Sequence, residues 1–186
     1  MNVKEAIKSR RSYRSLIPVE ITETLIKDLA ESASLAPSCK NSQPWRFIFV
    51  YDKKQLQKLY KTIIPPNDKW IINSSLMIVV FSKVQYDCII KERLYYLFDT
   101  GIATAFIILR ATELGLVAHP IAGFDENKIK ELFKLPNDMR IITLIIIGKK
   151  SSEINENLTD LMKETEMRKP VRMKFKEYAY INEYNP

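Results

Sequence analysis

Glycine is scarce in this chain. Its 186 residues hold four, Gly101, Gly115, Gly123 and Gly148. Neither a G-x-G-x-x-G turn nor a Walker A loop can be assembled from these positions, which argues against a Rossmann dinucleotide fold and a P-loop. A bound phosphate would therefore need charged side chains in place of a glycine-rich cradle. Cysteine is rarer still: Cys39 and Cys88 give neither a disulfide framework nor a metal cluster. With a single histidine, His119, the common zinc sites have too few ligands. A lone histidine beside a strand end reads as a satisfied structural residue rather than a catalyst. No apolar run is long enough to span a bilayer. The N-terminus, Met-Asn-Val-Lys-Glu-Ala-Ile, lacks the apolar core of a secretory signal. Absence of a signal and sparse cysteine together point to the cytoplasm and to no membrane partner.

What is present suits a globular domain, with 46% hydrophobic and 10% aromatic residues and enough chain for a sizeable core. The net charge is +7, and its placement is uneven. Through Lys61 there are twelve Lys and Arg against six Asp and Glu, a balance of +6. A basic surface serves nucleic acid, a phosphate-bearing cofactor, anionic substrates or solubility. No helix-turn-helix, zinc finger or aromatic RNA-binding pattern accompanies the charge, so no nucleic-acid partner is expected.

Hydrophobic periodicity outlines alternating helices and strands. A short helix is expected from about Val3 to Ser9. Thr22 is a candidate N-cap for a helix whose Leu25, Ile26, Leu29, Ala30 and Ala33 form one apolar stripe. Arg46–Tyr51 reads as a strand buried on both faces. Asp52 caps a helix to about Ile63, before Pro65-Pro66. A strand follows at Leu76–Phe81. Lys91–Leu114 reads as the longest helix, apolar around much of its circumference, with Gly115 ending it. Strands at Val117–Ile121 and Ile141–Ile147 flank a helix capped by Asp125. Residues 149 to 167 are polar and show no convincing core face. The tail from Arg168 is basic and then aromatic, with Phe175, Tyr178, Tyr180 and Tyr184, which suggests docking on a second subunit.

Two segments carry chemistry. Ala36-Pro37-Ser38-Cys39-Lys40-Asn41-Ser42-Gln43-Pro44-Trp45 joins a helix to a strand, its prolines fixing φ at both ends. Its amide and hydroxyl groups suit the polar edge of a planar, heteroatom-rich ligand; taken alone, ordinary turn chemistry explains it as well. Arg10-Arg11-Ser12-Tyr13-Arg14 offers guanidinium forks that match phosphate oxygens. If extended, it points Arg10, Ser12 and Arg14 one way and Arg11 and Tyr13 the other. In isolation this segment equally fits a solvated basic turn.

Together these segments resemble the FMN-dependent nitroreductase family, which has an R-R-S-x-R segment followed by P-S-x-x-N-x-Q-P-W at about this separation. A third stretch is similar to the family too: Glu113-Leu114-Gly115-Leu116, Pro120-Ile121-Ala122-Gly123-Phe124-Asp125, Leu135-Pro136 and the apolar strand to Gly148. The resemblance spans roughly residues 3 to 148. It implies an α+β fold with a central mixed or antiparallel sheet flanked by helices and a long central helix at a dimer interface. Residues 1–148 would form the FMN-binding domain. Residues 149–186 would be a polar linker and extension, belonging to the same domain or docking on the partner.

The resemblance further implies one FMN per subunit at the interface of a homodimer. Arg10, Ser12 and Arg14 would bind its phosphate and ribityl chain, with Arg11 contributing more through its backbone. Pro37, Ser38 and Asn41 would reach the flavin of the other subunit, and Gln43 would support their loop. Ile121, Ala122 and Gly123 would lie at the flavin's reactive edge, and Arg168 and Lys169 would return to the phosphate. Asn67, Asp68 and Lys69 are further candidates. Cys39 and Lys40 are assigned to the substrate pocket, with an inert thiol as the alternative for Cys39; Trp45 belongs in the core. The implied activity is NAD(P)H-dependent reduction of a small electron-poor acceptor, a nitroaromatic or quinone, by a ping-pong mechanism in which no side chain is the catalyst. A flavin-binding store or sensor without turnover would share these motifs.

Overall fold

Six α-helices and seven strands follow one another in the computed structural model, which describes residues 1–185. The helices are α1 (Val3–Ser9), α2 (Glu23–Ser34), α3 (Lys53–Tyr60), α4 (Tyr95–Glu113), α5 (Glu126–Phe133) and α6 (Asp160–Met167). The strands are β1 (Leu16–Ile17), β2 (Arg46–Val50), β3 (Leu76–Ser82), β4 (Ile89–Ile90), β5 (Arg93–Leu94), β6 (Val117–Ile121) and β7 (Arg140–Lys150). Helix starts follow side-chain chemistry. Thr22, Asp52 and Asp125 each accept an N–H from the first turn of their helix, satisfying a donor that the helix leaves orphaned. Asn2 and Glu5 cap α1 reciprocally at 3.0 Å.

All strand pairs are antiparallel. The central strand β7 pairs with β3 along one edge and with β6 and then β1 along the other; β2 closes the far side. On β3, Met77, Val79 and Phe81 enter one core with α3, α5 and Trp70. Leu76, Ile78 and Val80 enter a second core with α2 and α4. A strand covered on both faces reads as a continuous apolar run, because both side-chain sets are buried. The architecture is thus α+β, an antiparallel sheet between helical layers.

Four expectations are corrected. The long helix begins at Tyr95, because 89–94 fold into the β4–β5 hairpin with Lys91 at φ 57° in its turn. β2 is an edge strand, so Phe47, Ile48 and Phe49 are half-buried despite their apolar run. Segment 149–167 does contribute to the core, through buried Leu158 and the packed Met162. The two cysteines are joined as a disulfide, Cys39–Cys88, with Cα atoms 6.1 Å apart, which removes sparse cysteine as a support for the cytoplasm. Among the described residues no helix is long and apolar enough to cross a membrane.

Helix α6 docks through one buried acid. Glu166 is 7% exposed and accepts the backbone N–H of Arg14 at 3.0 and 3.1 Å and that of Ser15 at 2.8 Å. These are charge-assisted bonds, the stronger kind. Removing the carboxylate leaves two buried donors without an acceptor. Glu166→Ala is expected to lower stability by about 1.5–3 kcal/mol in urea unfolding. It should also expose the chain after Thr159 to limited proteolysis, while an unchanged cleavage rate would show that other contacts hold α6.

Candidate functional site

The arginine segment runs between α1 and β1 and divides into two functions. The Arg10 guanidinium donates to Ser12 Oγ at 3.3 Å. Arg11 turns to the C-terminal segment, where it donates to the carbonyls of Thr165, Glu166 and Arg168 and lies 4.8 Å over the Tyr13 ring. Arg14 makes one long contact, 3.4 Å to Thr165 Oγ1. Its Nε is buried with no acceptor. A buried donor without a partner is costly in a folded structure.

The end of β6 lies beside this segment. His119 is 6% exposed and stacks on the fully buried Trp70 with ring centroids 4.7 Å apart. Its Nδ1 faces the Tyr13 carbonyl at 3.1 Å. A carbonyl only accepts, so Nδ1 carries the proton of the neutral ring. Burial pushes the imidazole down to about 4; the Tyr13 bond opposes this, and the charges of Arg14 and Arg10 reinforce it. His119 is the satisfied structural histidine that a lone residue at a strand end suggests. Beyond it, Ile121 is buried, Ala122 exposed and Gly123 half-buried. The Ile64 N–H donates to Gly123 O and the Asp125 N–H to Thr62 O, which brings the segment after α3 against the strand end. A Cβ on Gly123 would stand 3.1 Å from Asn67 Nδ2. Asn67 is therefore the residue of the 67–69 trio packed at Gly123, and its Oδ1 accepts Trp70 Nε1–H at 3.2 Å.

The 36–45 loop is a separate, tightly bonded unit. Lys40, Asn41 and Gln43 have φ of 51°, 58° and 48°, a left-handed region that costs a non-glycine residue roughly 1 kcal/mol or more. Several bonds hold them there. Ser38 Oγ accepts the Gln43 N–H at 2.9 Å, and Arg46 donates to the Gln43 carbonyl at 3.0 Å. The Cys39 N–H donates to Asp99 Oδ2 at 2.6 Å, Asp99 being 2% exposed. Pro37, Lys40, Asn41 and Gln43 are exposed, while Trp45 is buried in the core. Assigning Cys39 to the substrate pocket as a free thiol fails, since its Sγ is bonded to Cys88. The apolar environment that would make a thiol inert is here a contact with a second sulfur.

The fold thus brings the segment of Arg10, Ser12 and Arg14 beside His119 on β6. Among the described residues, no hydrogen bond or ion pair links them to the 37–45 loop. Arg168 is exposed and paired with Glu164, and Lys169 is exposed. Sequence reasoning missed Glu166 and Asp99, acids that organise the two segments from a distance in sequence. Neither stands in a motif; their only signal is a carboxylate on an otherwise apolar or packed helix face.

This fold and this arrangement have relatives. The profile of the nitroreductase family matches residues 7–69 and 65–149. A Methanothermobacter thermautotrophicus protein, provisionally named NADH dehydrogenase/NAD(P)H nitroreductase, is 30% identical over 153 residues, covering 80% of this chain and 77% of its own. A nitroreductase family protein of Clostridium novyi NT superposes with a TM-score of 0.76 at 31% identity, over 82% of this chain and 87% of that one. A provisionally named nitroreductase of Exiguobacterium sibiricum 255-15, solved in complex with FMN, shares the fold with a TM-score of 0.82 at 22% identity over 98% of both chains. The chain belongs to the nitroreductase family.

The depressed His119 value carries a pH dependence. Below its ordinary pKa of 6.5 the unfolded chain protonates this residue while the folded chain keeps it neutral down to about 4. Stability from this group is complete above pH 6.5 and is lost as pH falls toward 4, by up to about 3 kcal/mol. Urea unfolding of the native chain across that window should show the loss, and His119→Gln should flatten it. Equal slopes in the two proteins would remove His119 as the cause.

Proposed function

We propose that this protein is an FMN-dependent NAD(P)H oxidoreductase that reduces electron-poor small molecules such as nitroaromatics or quinones, working as a homodimer. The observation that carries this reading is the Arg10, Ser12 and Arg14 donor set, held beside His119 by the Tyr13 carbonyl bond, in a chain of the nitroreductase family. The donor set fits FMN: guanidinium forks and a hydroxyl suit its phosphate and ribityl oxygens, and they replace the glycine cradle that the chain lacks. Gly123 lets Asn67 approach the end of β6 closely, since a Cβ there would stand 3.1 Å from Asn67 Nδ2. When bound, FMN would supply the redox chemistry between NAD(P)H and the acceptor.

The side chains bind and orient. Arg10, Ser12 and Arg14 would hold the anionic end, and the 121–123 backbone would lie along the ring. His119 stays neutral and stacked behind this wall, so it moves no proton. Arg11 anchors the C-terminal segment. Arg168 would have to leave Glu164 to reach a phosphate, and Lys169 has no such tie to break. A reductant and an acceptor that occupy one pocket in turn give ping-pong kinetics.

The dimer follows from what one chain leaves open. Leu97 and Phe98 on α4 are 44% and 64% exposed, and a cleft of about 450 Å³ between α1, α2 and α4 is lined by Val3, Leu35, Phe106 and Leu109. Such a surface calls for a self-complementary partner. In this reading Ser38 of the partner subunit and Asn41 of the partner subunit complete each site, because the 37–45 loop has no hydrogen bond to the arginine segment of its own chain.

The protein should purify with non-covalent flavin, identified as FMN by mass after denaturation. Arg14→Ala should weaken FMN binding by one to two orders of magnitude, from loss of about 1.5–3 kcal/mol of charge-assisted bonding. Arg11→Ala should affect stability more than FMN affinity. Recovery of FAD, or equal affinity losses in the two variants, would overturn these assignments. A second test addresses the shared site. Arg14→Ala and Asn41→Ala, co-expressed with different tags, should give a heterodimer that oxidises NAD(P)H faster than either parent dimer, since one site receives both defects and the other none. A confirmed heterodimer no faster than its parents would assign both residues to one subunit's site.

A further inference from the structure

The Cys39–Cys88 bond does not resemble a core staple. Both residues are only half-buried, and they are the only cysteines in the chain. The bond ties the 36–45 loop, at its left-handed stretch, to the residue that precedes the β4–β5 hairpin. An acid sits against the pair. Asp87 Oδ1 accepts the Cys88 N–H at 2.7 Å. An oxygen of Asp87 lies within 4.8 Å of both sulfurs, and Oδ2 is buried without a hydrogen-bond partner. Asp99, which holds the Cys39 N–H, is the neighbouring carboxyl. Burial raises the Asp87 carboxyl above the usual range, and Asp99 adds to the rise against the Cys88 bond.

We propose that Cys39 and Cys88 are a reversible dithiol–disulfide couple, a second redox site in this chain, and that its state sets the order of the 38–43 loop and thereby the affinity for FMN. The dependence on FMN rests on the function proposed above; the loop's dependence on the couple does not. A dithiol reductant opens the bond. One of its thiolates attacks a cysteine sulfur, the Cys39–Cys88 bond breaks and a mixed disulfide forms. The departing sulfur takes a proton from solvent. The reductant's second thiolate then displaces the remaining cysteine, which is protonated in turn. The protein gains two electrons and two protons, and the dithiol leaves as its own disulfide. Without the bond, the left-handed residues 40, 41 and 43 lose the covalent tie that compensates their strain. The loop that carries Ser38 and Asn41 then has to be ordered at the moment of binding, which lowers affinity.

The test compares the full-length protein oxidised with diamide and reduced with dithiothreitol, each freed of reagent under nitrogen. Alkylation followed by mass measurement should add no groups to the oxidised form and two to the reduced form. Hydrogen exchange of residues 38–43 should be faster in the reduced form. FMN titration of the flavin-free protein should give a Kd about tenfold weaker when reduced, a change of about 1.4 kcal/mol, restored on reoxidation. Cys39→Ser and Cys88→Ser should both show the reduced value and ignore dithiothreitol. Two alkylated cysteines after diamide treatment, or identical exchange in the two states, would overturn the couple or its hold on the loop. Different exchange with identical FMN affinity would overturn its control of binding. Failure of both forms to bind FMN would instead overturn the flavin reading, with the exchange result still deciding the loop.

Discussion

The structure depends on β7 being shared. Its eleven residues pair with β3 along one edge and with β6 and β1 in turn along the other. Each pairing fixes register, because a one-residue slip would turn every side chain to the opposite core. Ile146 therefore stands opposite His119, and Lys149 and Lys150 opposite Ile17 and Leu16. The arginine segment, which feeds β1, has no freedom to lie elsewhere than beside the end of β6. Segments separated by about a hundred residues in sequence become neighbours through one strand, and Tyr13 receives the His119 N–H as a consequence.

Charge then sorts three arginines that look alike. Glu166 accepts the backbone of residues 14 and 15 and leaves the Arg14 guanidinium almost unpaired. Arg11 spends its donors on carbonyls of the same C-terminal segment. The two ends of the chain thus clamp each other by main-chain groups on both sides, and the side chains of Arg10 and Arg14 stay available. Had Glu166 reached the guanidinium of Arg14 in place of its N–H, the site would have been neutralised from within. The difference is geometric: Glu166 of α6 meets the backbone N–H groups of residues 14 and 15, while the Arg14 guanidinium touches α6 only at Thr165 Oγ1, 3.4 Å away.

Much of the fold was legible in the sequence, for specific reasons. Thr22, Asp52 and Asp125 announce helix starts because a short polar side chain before an apolar stripe has a local bond to make. Leu76–Phe81 and Ile141–Ile147 announce buried strands because their β-branched runs leave no polar face. The errors also have physical causes. Phe47–Phe49 looks buried on both faces, but an edge position depends on which strand pairs with which, and no local pattern encodes that. Lys91 begins a helical pattern by composition, while the hairpin before Tyr95 is set by its left-handed turn. The R-R-S-x-R and P-S-x-x-N-x-Q-P-W segments were visible as motifs, whereas Glu166 and Asp99 were not. A carboxylate that serves a backbone N–H some 150 or 60 residues away leaves no periodic trace. The same holds for Cys39 and Cys88, 49 residues apart, since two cysteines carry no spacing rule.

The scarcity of glycine explains why a phosphate site in this chain would be dispersed. A glycine-rich cradle binds phosphate with the N–H groups of one short loop and one helix start, so it is complete wherever that loop folds. A site made of side chains has to collect its donors from separate segments. In the function proposed, Arg10, Ser12 and Arg14 would come from the N-terminal strand entry, the 121–123 backbone from the end of β6 and Asn67 from the turn after α3. Such a collection is only as ordered as the elements that deliver it. That requirement accounts for a C-terminal helix locked by a buried acid, a neutral histidine stacked on Trp70 behind the site, and a loop held in left-handed conformations by Asp99, Ser38 and a sulfur bridge. It also leaves Pro37, Lys40, Asn41 and Gln43 exposed, as are Leu97 and Phe98 of α4, and in the dimer proposed a second copy of the chain would cover both.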